Sequence, residues 1–159
     1  MIRRPAALLI AALLVLPVQA LACSKPAGAQ AAEAEVIRLV NAQRQQAGLP
    51  GLKASGKLAM AAQVQACDNA ARRIYSHVGS DGSDLATRLK RTGYRYRLAA
   101  ENTGRGFNQA ARVVAFWMNS PEHRANILLP RAREIGVGLA LSDAPESRNH
   151  WITVMGASR

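Results

Sequence analysis

The chain has 159 residues, with 21 lysines and arginines against 10 aspartates and glutamates, a formal charge of +11. Aromatic residues make up only 4%, and no helix-turn-helix, RNA-binding or zinc-finger signature accompanies the basic residues, so nucleic acid is not the expected partner. Gly-x-Ser-x-Gly, His-Glu-x-x-His, phosphate-loop and papain-like cysteine motifs are missing as well, which excludes the hydrolases that announce themselves locally.

The first segment reads as an export leader. Arg3 and Arg4 precede an apolar run from Ala6 to Val18, and small residues follow at Ala20 and Ala22. The run is too short to span a bilayer, and its flanks are those of a secretory signal peptide. Residues 1–22 are therefore expected to be a signal peptide, cleaved after Ala20 or Ala22. An N-terminal segment, 23–32, and a single domain, 33–159, follow. No later stretch reads as a membrane span. The expected location is periplasmic or extracellular, where a basic surface meets anionic lipid headgroups and envelope polymers. The densest basic run, Arg88, Lys90, Arg91, Arg95 and Arg97, reads as a solvated face.

Two cysteines survive processing, Cys23 and Cys67, in a compartment where disulfides persist. A Cys23–Cys67 bridge, pinning Ser24 to Gln30 onto the domain, is the leading reading. Cleavage after Ala22 would make Cys23 the new N-terminus, and Ala-Leu-Ala-Cys loosely resembles a lipobox, so a lipid anchor on Cys23 is one alternative. A buried free thiol at Cys67 is the other, because Met60, Val64, Cys67, Ala71 and Ile74 follow the spacing of an apolar helical stripe.

Within the domain, a first helix is expected over 33–47, with Val36, Leu39 and Val40 inward and Gly48 ending it. After the turn Leu49-Pro50-Gly51, a second helix over 56–75 turns the Met60 to Ile74 stripe inward. Ser76 to Asp84 is a loop by its Gly, Ser and Asp content, with His77 near its start. A short helix over 83–92 buries Leu85 and Leu89. Tyr94 to Leu98 is expected as loop, leading into a short strand near Ala99 to Thr103 that carries Glu101.

Ala110, Val113, Val114 and Trp117 fall on one face of the next helix. Buried there, that helix would act as a rigid spacer between Glu101 and His123. Ser120 as N-cap and Pro121 at the first helical position then open another helix. Its first turn holds Glu122, which suits the positive end of the dipole, and His123, which the dipole keeps neutral. Beyond Pro130, Ile135, Val137, Leu139 and Leu141 alternate with Gly136, Gly138 and Ala140. That is a strand with one bulky face and one very small face, against which a helix can lie closely. A polar loop over 143–149 leads to a returning strand over 150–156, with Ile152 and Val154 on one side. Helices first and a short antiparallel sheet later make the fold class α+β.

Four separated segments, LVNAQRQQAGLPGL, SHVGSDGSDLATRLKRTGY, AENTGRG and WMNSPEHRANIL, stand in an order that resembles the bacterial branch of the CAP superfamily. These are the SCP-domain proteins named after cysteine-rich secretory proteins, antigen 5 and plant pathogenesis-related 1 proteins. The resemblance covers about Val36 to Gly156. It implies a three-layer α-β-α sandwich with a small antiparallel sheet and a central cleft gathering His77, Glu101 and His123. Ala100 stands where the family usually has glycine, and a second acid of eukaryotic members falls here on Ser120, leaving Glu122 as the nearby carboxylate.

Two histidines and one carboxylate form the ligand set of many catalytic zinc sites. A divalent metal, zinc first, on His77, Glu101 and His123 is thus one expectation. An unmetallated hydrogen-bonded cluster is another. A metal-assisted hydrolase would need Glu122 as base, so the catalytic candidates are His77, Glu101, Glu122 and His123. Asn126, three residues past His123, is expected to orient it, and His150 is expected at the surface. The preferred functional reading is a monomeric, non-enzymatic binding module for a lipid or envelope ligand. The alternative is a metal-dependent hydrolase or protease using the same cleft.

Overall fold

The alternation after Pro130 sets the layers of the molecule. The computed structural model describes residues 23–143 and 148–159. The expected leader and its cleavage sites lie outside them, as does part of the loop expected over 143–149. In chain order the elements are α1 (Ala29–Gln46), β1 (Lys53–Ala54), α2 (Gly56–Arg72), α3 (Leu85–Arg91), β2 (Tyr96–Arg105), α4 (Ala110–Asn119), α5 (Pro121–Ile127), β3 (Glu134–Leu141) and β4 (Asn149–Ser158). The strands form one sheet in the order β1-β3-β4-β2. The three long strands are antiparallel, as expected, and the two-residue β1 adds a parallel edge to β3.

On one face of β3, Ile135, Val137 and Leu139 pack with Val36 and Val40 of α1, Val113 and Trp117 of α4, and Ile127 of α5. On the other face Gly136, Gly138 and Ala140 meet α2. A Cβ on Gly138 would lie 2.5 Å from backbone atoms of Ala62 and Gln63, so the helix rests on the bare strand. Leu58, Ala61, Ala62, Ala66 and Ala70 of α2 fill that second core with Leu89, Tyr94, Ile152 and Val154. Helices therefore cover both faces of the sheet, giving an α+β sandwich of three layers.

This close approach corrects the expected face of α2. Met60 and Val64 are 53% and 52% exposed, and the buried stripe is Leu58, Ala61, Ala62, Gln65, Ala66, Asn69 and Ala70. A helix seated on glycine backbone must offer small side chains, because larger ones would hold it off and leave voids. The size match outweighs the greater hydrophobicity of Met60 and Val64. The helix stops at Arg72, where Arg73 takes a left-handed conformation at φ 56°.

At the N-terminal end, α1 starts at Ala29 rather than Glu33. The segment before it is fastened by the Cys23–Cys67 disulfide, Cα to Cα 5.5 Å, and by the Leu141 N–H, which donates to the Ser24 carbonyl at 2.8 Å. The bridge occupies both sulfurs, so Cys67 is no free thiol and the Cys23 sulfur is not available for a lipid thioether. β2 starts at Tyr96, inside the segment expected as loop, because Tyr96 pairs with Ser158 across an irregularity that breaks the period before Leu98. His150, expected at the surface, is buried: it lies on β4, an interior strand covered on both faces. Arg44 is buried too, and its guanidinium donates to the carbonyls of Pro50, Ile127 and Leu129, fastening the end of α5 to α1. Among the described residues, no helix is long and apolar enough to cross a membrane.

Candidate functional site

Glu101 pairs with Val154 across β2 and β4, so its side chain points into the layer of α2 and α3. There a carboxylate needs compensation, and α3 provides it. The Asp84 carboxylate caps that helix, accepting from the Thr87 N–H at 2.8 Å. One turn on, Arg88 shares the inward face with Leu85 and Leu89. Its Nη2 donates to Glu101 Oε2 at 2.6 Å, with the two side chains only 1% and 3% exposed. The Arg88 Nη1 donates to the carbonyls of His77 and Ser83, each at 3.1 Å, so the same guanidinium anchors the histidine loop.

His77 completes the network from the loop side: its Nδ1 donates to Glu101 Oε1 at 2.9 Å. A carboxylate oxygen accepts and does not donate, which puts the proton on Nδ1 and leaves Nε2 outside that bond, on a side chain that is 52% exposed. The loop is also tied to α2, where the Asp68 carboxylate accepts from the Ser80 N–H at 3.0 Å and from Arg72. Burial pushes the Asp68 carboxyl up, but the bonds from Ser80 and Arg72 outweigh it and hold it below the usual range.

His123 approaches from the first turn of α5. Its Nε2 lies 3.2 Å from the Tyr75 hydroxyl, which also reaches the Thr103 carbonyl at 3.3 Å. The ring packs against Phe116 at 5.5 Å between centroids, and Phe116 against Phe107 at 5.0 Å. Burial, and then the nearby His77 charge, push the His123 imidazole below its ordinary value, with Glu122 pulling weakly the other way. The direction is the one expected for a histidine at a helix start, but burial is the leading cause. Burial and the Glu122 charge also push the Tyr75 hydroxyl up. Among the described residues, His123 Nδ1 is buried without a hydrogen-bond partner.

The supporting residues differ in part from expectation. Asn126 does not reach the His123 ring; its amide donates to the Asn102 side chain at 2.8 Å and to the Glu101 carbonyl at 3.3 Å. Asn102 is the residue that holds His123, donating to its carbonyl at 3.0 Å. The α4 spacer is buried as the pattern requires, and Trp117 Nε1 donates to the Thr103 carbonyl at 2.8 Å. Glu122 is exposed on the first turn of α5 and acts on the site through charge alone. Sequence reasoning misses Arg88 and Tyr75. Arg88 reads there as part of a solvated basic run, although its place between Leu85 and Leu89 on the apolar face of α3 is the available signal.

As arranged, Glu101 is not free to join His77 and His123 as a third metal donor. Both Glu101 oxygens are engaged, one by a buried guanidinium that already supplies the positive charge a cation would bring. Among the described residues, no three His, Cys, Asp or Glu side chains are grouped so that they could hold a metal.

A four-stranded sheet between two helical layers, with a histidine loop and a second histidine helix meeting over its edge strand, defines the class of domain. The family model for CAP, the cysteine-rich secretory protein family, matches residues 37–155, and the chain belongs to that family. YkwD of Bacillus subtilis is 35% identical over 115 residues, which is 72% of this chain and 45% of YkwD. The chain thus spans less than half the length of that relative. An outer surface protein from Borrelia burgdorferi shares the fold at a TM-score of 0.76 and 18% identity, over 86% of this chain and 99% of that one. An extracellular SCP-domain protein from Bacillus anthracis does so at 0.71 and 22%, over 81% of this chain and 41% of that one.

Proposed function

We propose that this chain is an exported, non-enzymatic binding module whose cleft, built on His77, Glu101 and His123, receives a lipid or envelope ligand. The observation that supports it is the closed network on Glu101. With Arg88 and His77 occupying its two oxygens, the carboxylate acts as a fixed strut and not as a free base or ligand. What the cleft then offers is hydrogen bonding from the histidine rings and Tyr75, beside the apolar faces of Phe116 and Phe107. Such a surface positions a polar group and packs against an acyl or ring portion. Export is supported by the leader-like first segment, by the disulfide, and by two fold relatives described as an outer surface protein and an extracellular protein.

The test is a titration of residues 23–159 with lysophospholipid and with muramyl-peptide probes, read by nuclear magnetic resonance of the His77 and His123 rings. It runs beside a hydrolysis screen on peptide, ester and cell-wall substrates with and without zinc. Ring shifts without turnover support the reading. Hydrolysis that is lost in both His77→Ala and His123→Ala overturns it in favour of the metal-dependent hydrolase.

A further inference from the structure

The register of the sheet collects cations at one end. Tyr96 pairs with Ser158, Gly156 with Glu134, and Glu134 with Lys53, so β2 and β3 begin where β4 ends. Flanking those strand ends are Arg95, Arg97, Arg131 and Arg133, with Lys57 of α2 and Lys90 of α3 beside them, all exposed. Three adjoining hollows of about 510, 560 and 690 Å³ run across this end, linked through Arg95, Arg97 and Ser158. Among the described residues, Glu134 is the one carboxylate side chain lining any of them, and the Tyr94 hydroxyl donates to it at 2.6 Å.

Elsewhere most of the described acids are neutralised in place, as in Lys25–Glu33, Arg38–Glu35, Arg72–Asp68 and Arg91–Asp81. Among the described residues, none of the six cations named above is in an ion pair. Their charge therefore sums into one positive field over the end of the sheet. The exposed Met60 lines the same hollow as Lys57 and Arg95, and the exposed Val64 follows it one helical turn along. Their exposure results from the glycine–alanine packing of α2, which turns both side chains away from the core.

We propose that this strand-end surface docks on an anionic phospholipid bilayer. The arginines and lysines meet headgroup phosphates, and Met60 and Val64 reach the boundary of the acyl chains. A soluble polyanion would satisfy the charges but draw nothing from the two apolar side chains. Glu101 lies four residues beyond Arg97 along β2, about 13 Å away at the rise of a strand. The histidine cleft thus stays clear of the docked face, and the proposal does not rest on what the cleft binds.

The test is co-sedimentation of residues 23–159 with vesicles of phosphatidylcholine alone and with added phosphatidylglycerol, at low and high salt. Each surface cation near an anionic membrane contributes about fivefold in partitioning. The variant Arg95→Ser/Arg97→Ser/Arg131→Ser should thus lose roughly a hundredfold on phosphatidylglycerol vesicles. The charge-matched Arg38→Ser/Arg112→Ser/Arg124→Ser should lose far less, and Met60→Ser should weaken binding several-fold with an unchanged melting temperature. All three substitutions of the first variant lie outside the histidine network, so the ring resonances still report on the cleft whatever the vesicles show. Equal losses in the two triple variants would overturn the proposal as bulk charge. Retention on soluble polyphosphate without vesicle binding would overturn it in favour of a polymer.

Discussion

Replacing Arg88 by methionine removes the counter-charge of Glu101 and nothing else of comparable size. The methionine chain retains most of the volume, so the loss is electrostatic. Arg88 and Glu101 are 1% and 3% exposed in their side chains, and leaving one member of such a buried pair alone costs about 3–5 kcal/mol. The carbonyls of His77 and Ser83 also lose their donor, adding about 1 kcal/mol each where water cannot replace it. We expect a loss of about 5–7 kcal/mol, a large part of the roughly 5–15 kcal/mol typical of a domain. It should appear in urea denaturation with the disulfide intact and as a melting temperature lower by roughly 10 °C or more. The double variant Arg88→Met/Glu101→Gln should recover at least about 2 kcal/mol of it, because no bare charge remains buried. A single-variant loss below about 1 kcal/mol, or a double variant as damaged as the sum of the two singles, would refute the claim that this pair supports the site.

Three further outcomes follow from the same geometry. His123 is pushed below its ordinary value in the folded protein, so the unfolded chain binds the proton more readily. Stability is then complete above the unfolded histidine range and falls as the pH drops through it towards the folded value; His123→Gln should flatten that slope in pH-dependent melting. Gly138→Ala drives a methyl into the backbone of Ala62 and Gln63 at 2.5 Å and should cost roughly 3 kcal/mol in urea denaturation, whereas Gly56→Ala, which meets nothing within 4 Å, should not. Reduction of the Cys23–Cys67 bridge, across a sequence separation of 44, should lower stability by up to about 4 kcal/mol. The intact mass of the unreduced chain should show two hydrogens fewer than the dithiol and no acyl group.

Much of this fold is legible because its signals are local. The bulky and tiny faces of β3 are written in strict alternation, and Ala110, Val113, Val114 and Trp117 mark the buried face of α4 residue by residue. What stays hidden depends on partners distant in sequence. The inward face of α2 is chosen by Gly136 and Gly138, so the most hydrophobic stripe, through Met60 and Val64, is the wrong one. The start of β2 depends on pairing with Ser158, and the burial of His150 depends on β4 lying inside the sheet. In the site, the two histidines and Glu101 are legible as a set only through family resemblance. Arg88 and Tyr75 are not, since a charge on a short helix and a tyrosine at a helix end acquire their roles only when β2 lies beneath them.

Glu101 is held by Arg88 and His77, and the proposed function gives the cleft to an organic ligand and not to a metal. Calorimetric titration of zinc into chelator-cleaned protein, repeated on His77→Ala and Glu101→Gln, tests it most directly. No stoichiometric uptake by the unaltered chain, and no difference between it and the two variants, is the expected result. One zinc bound per chain, and lost in both variants, would contradict it.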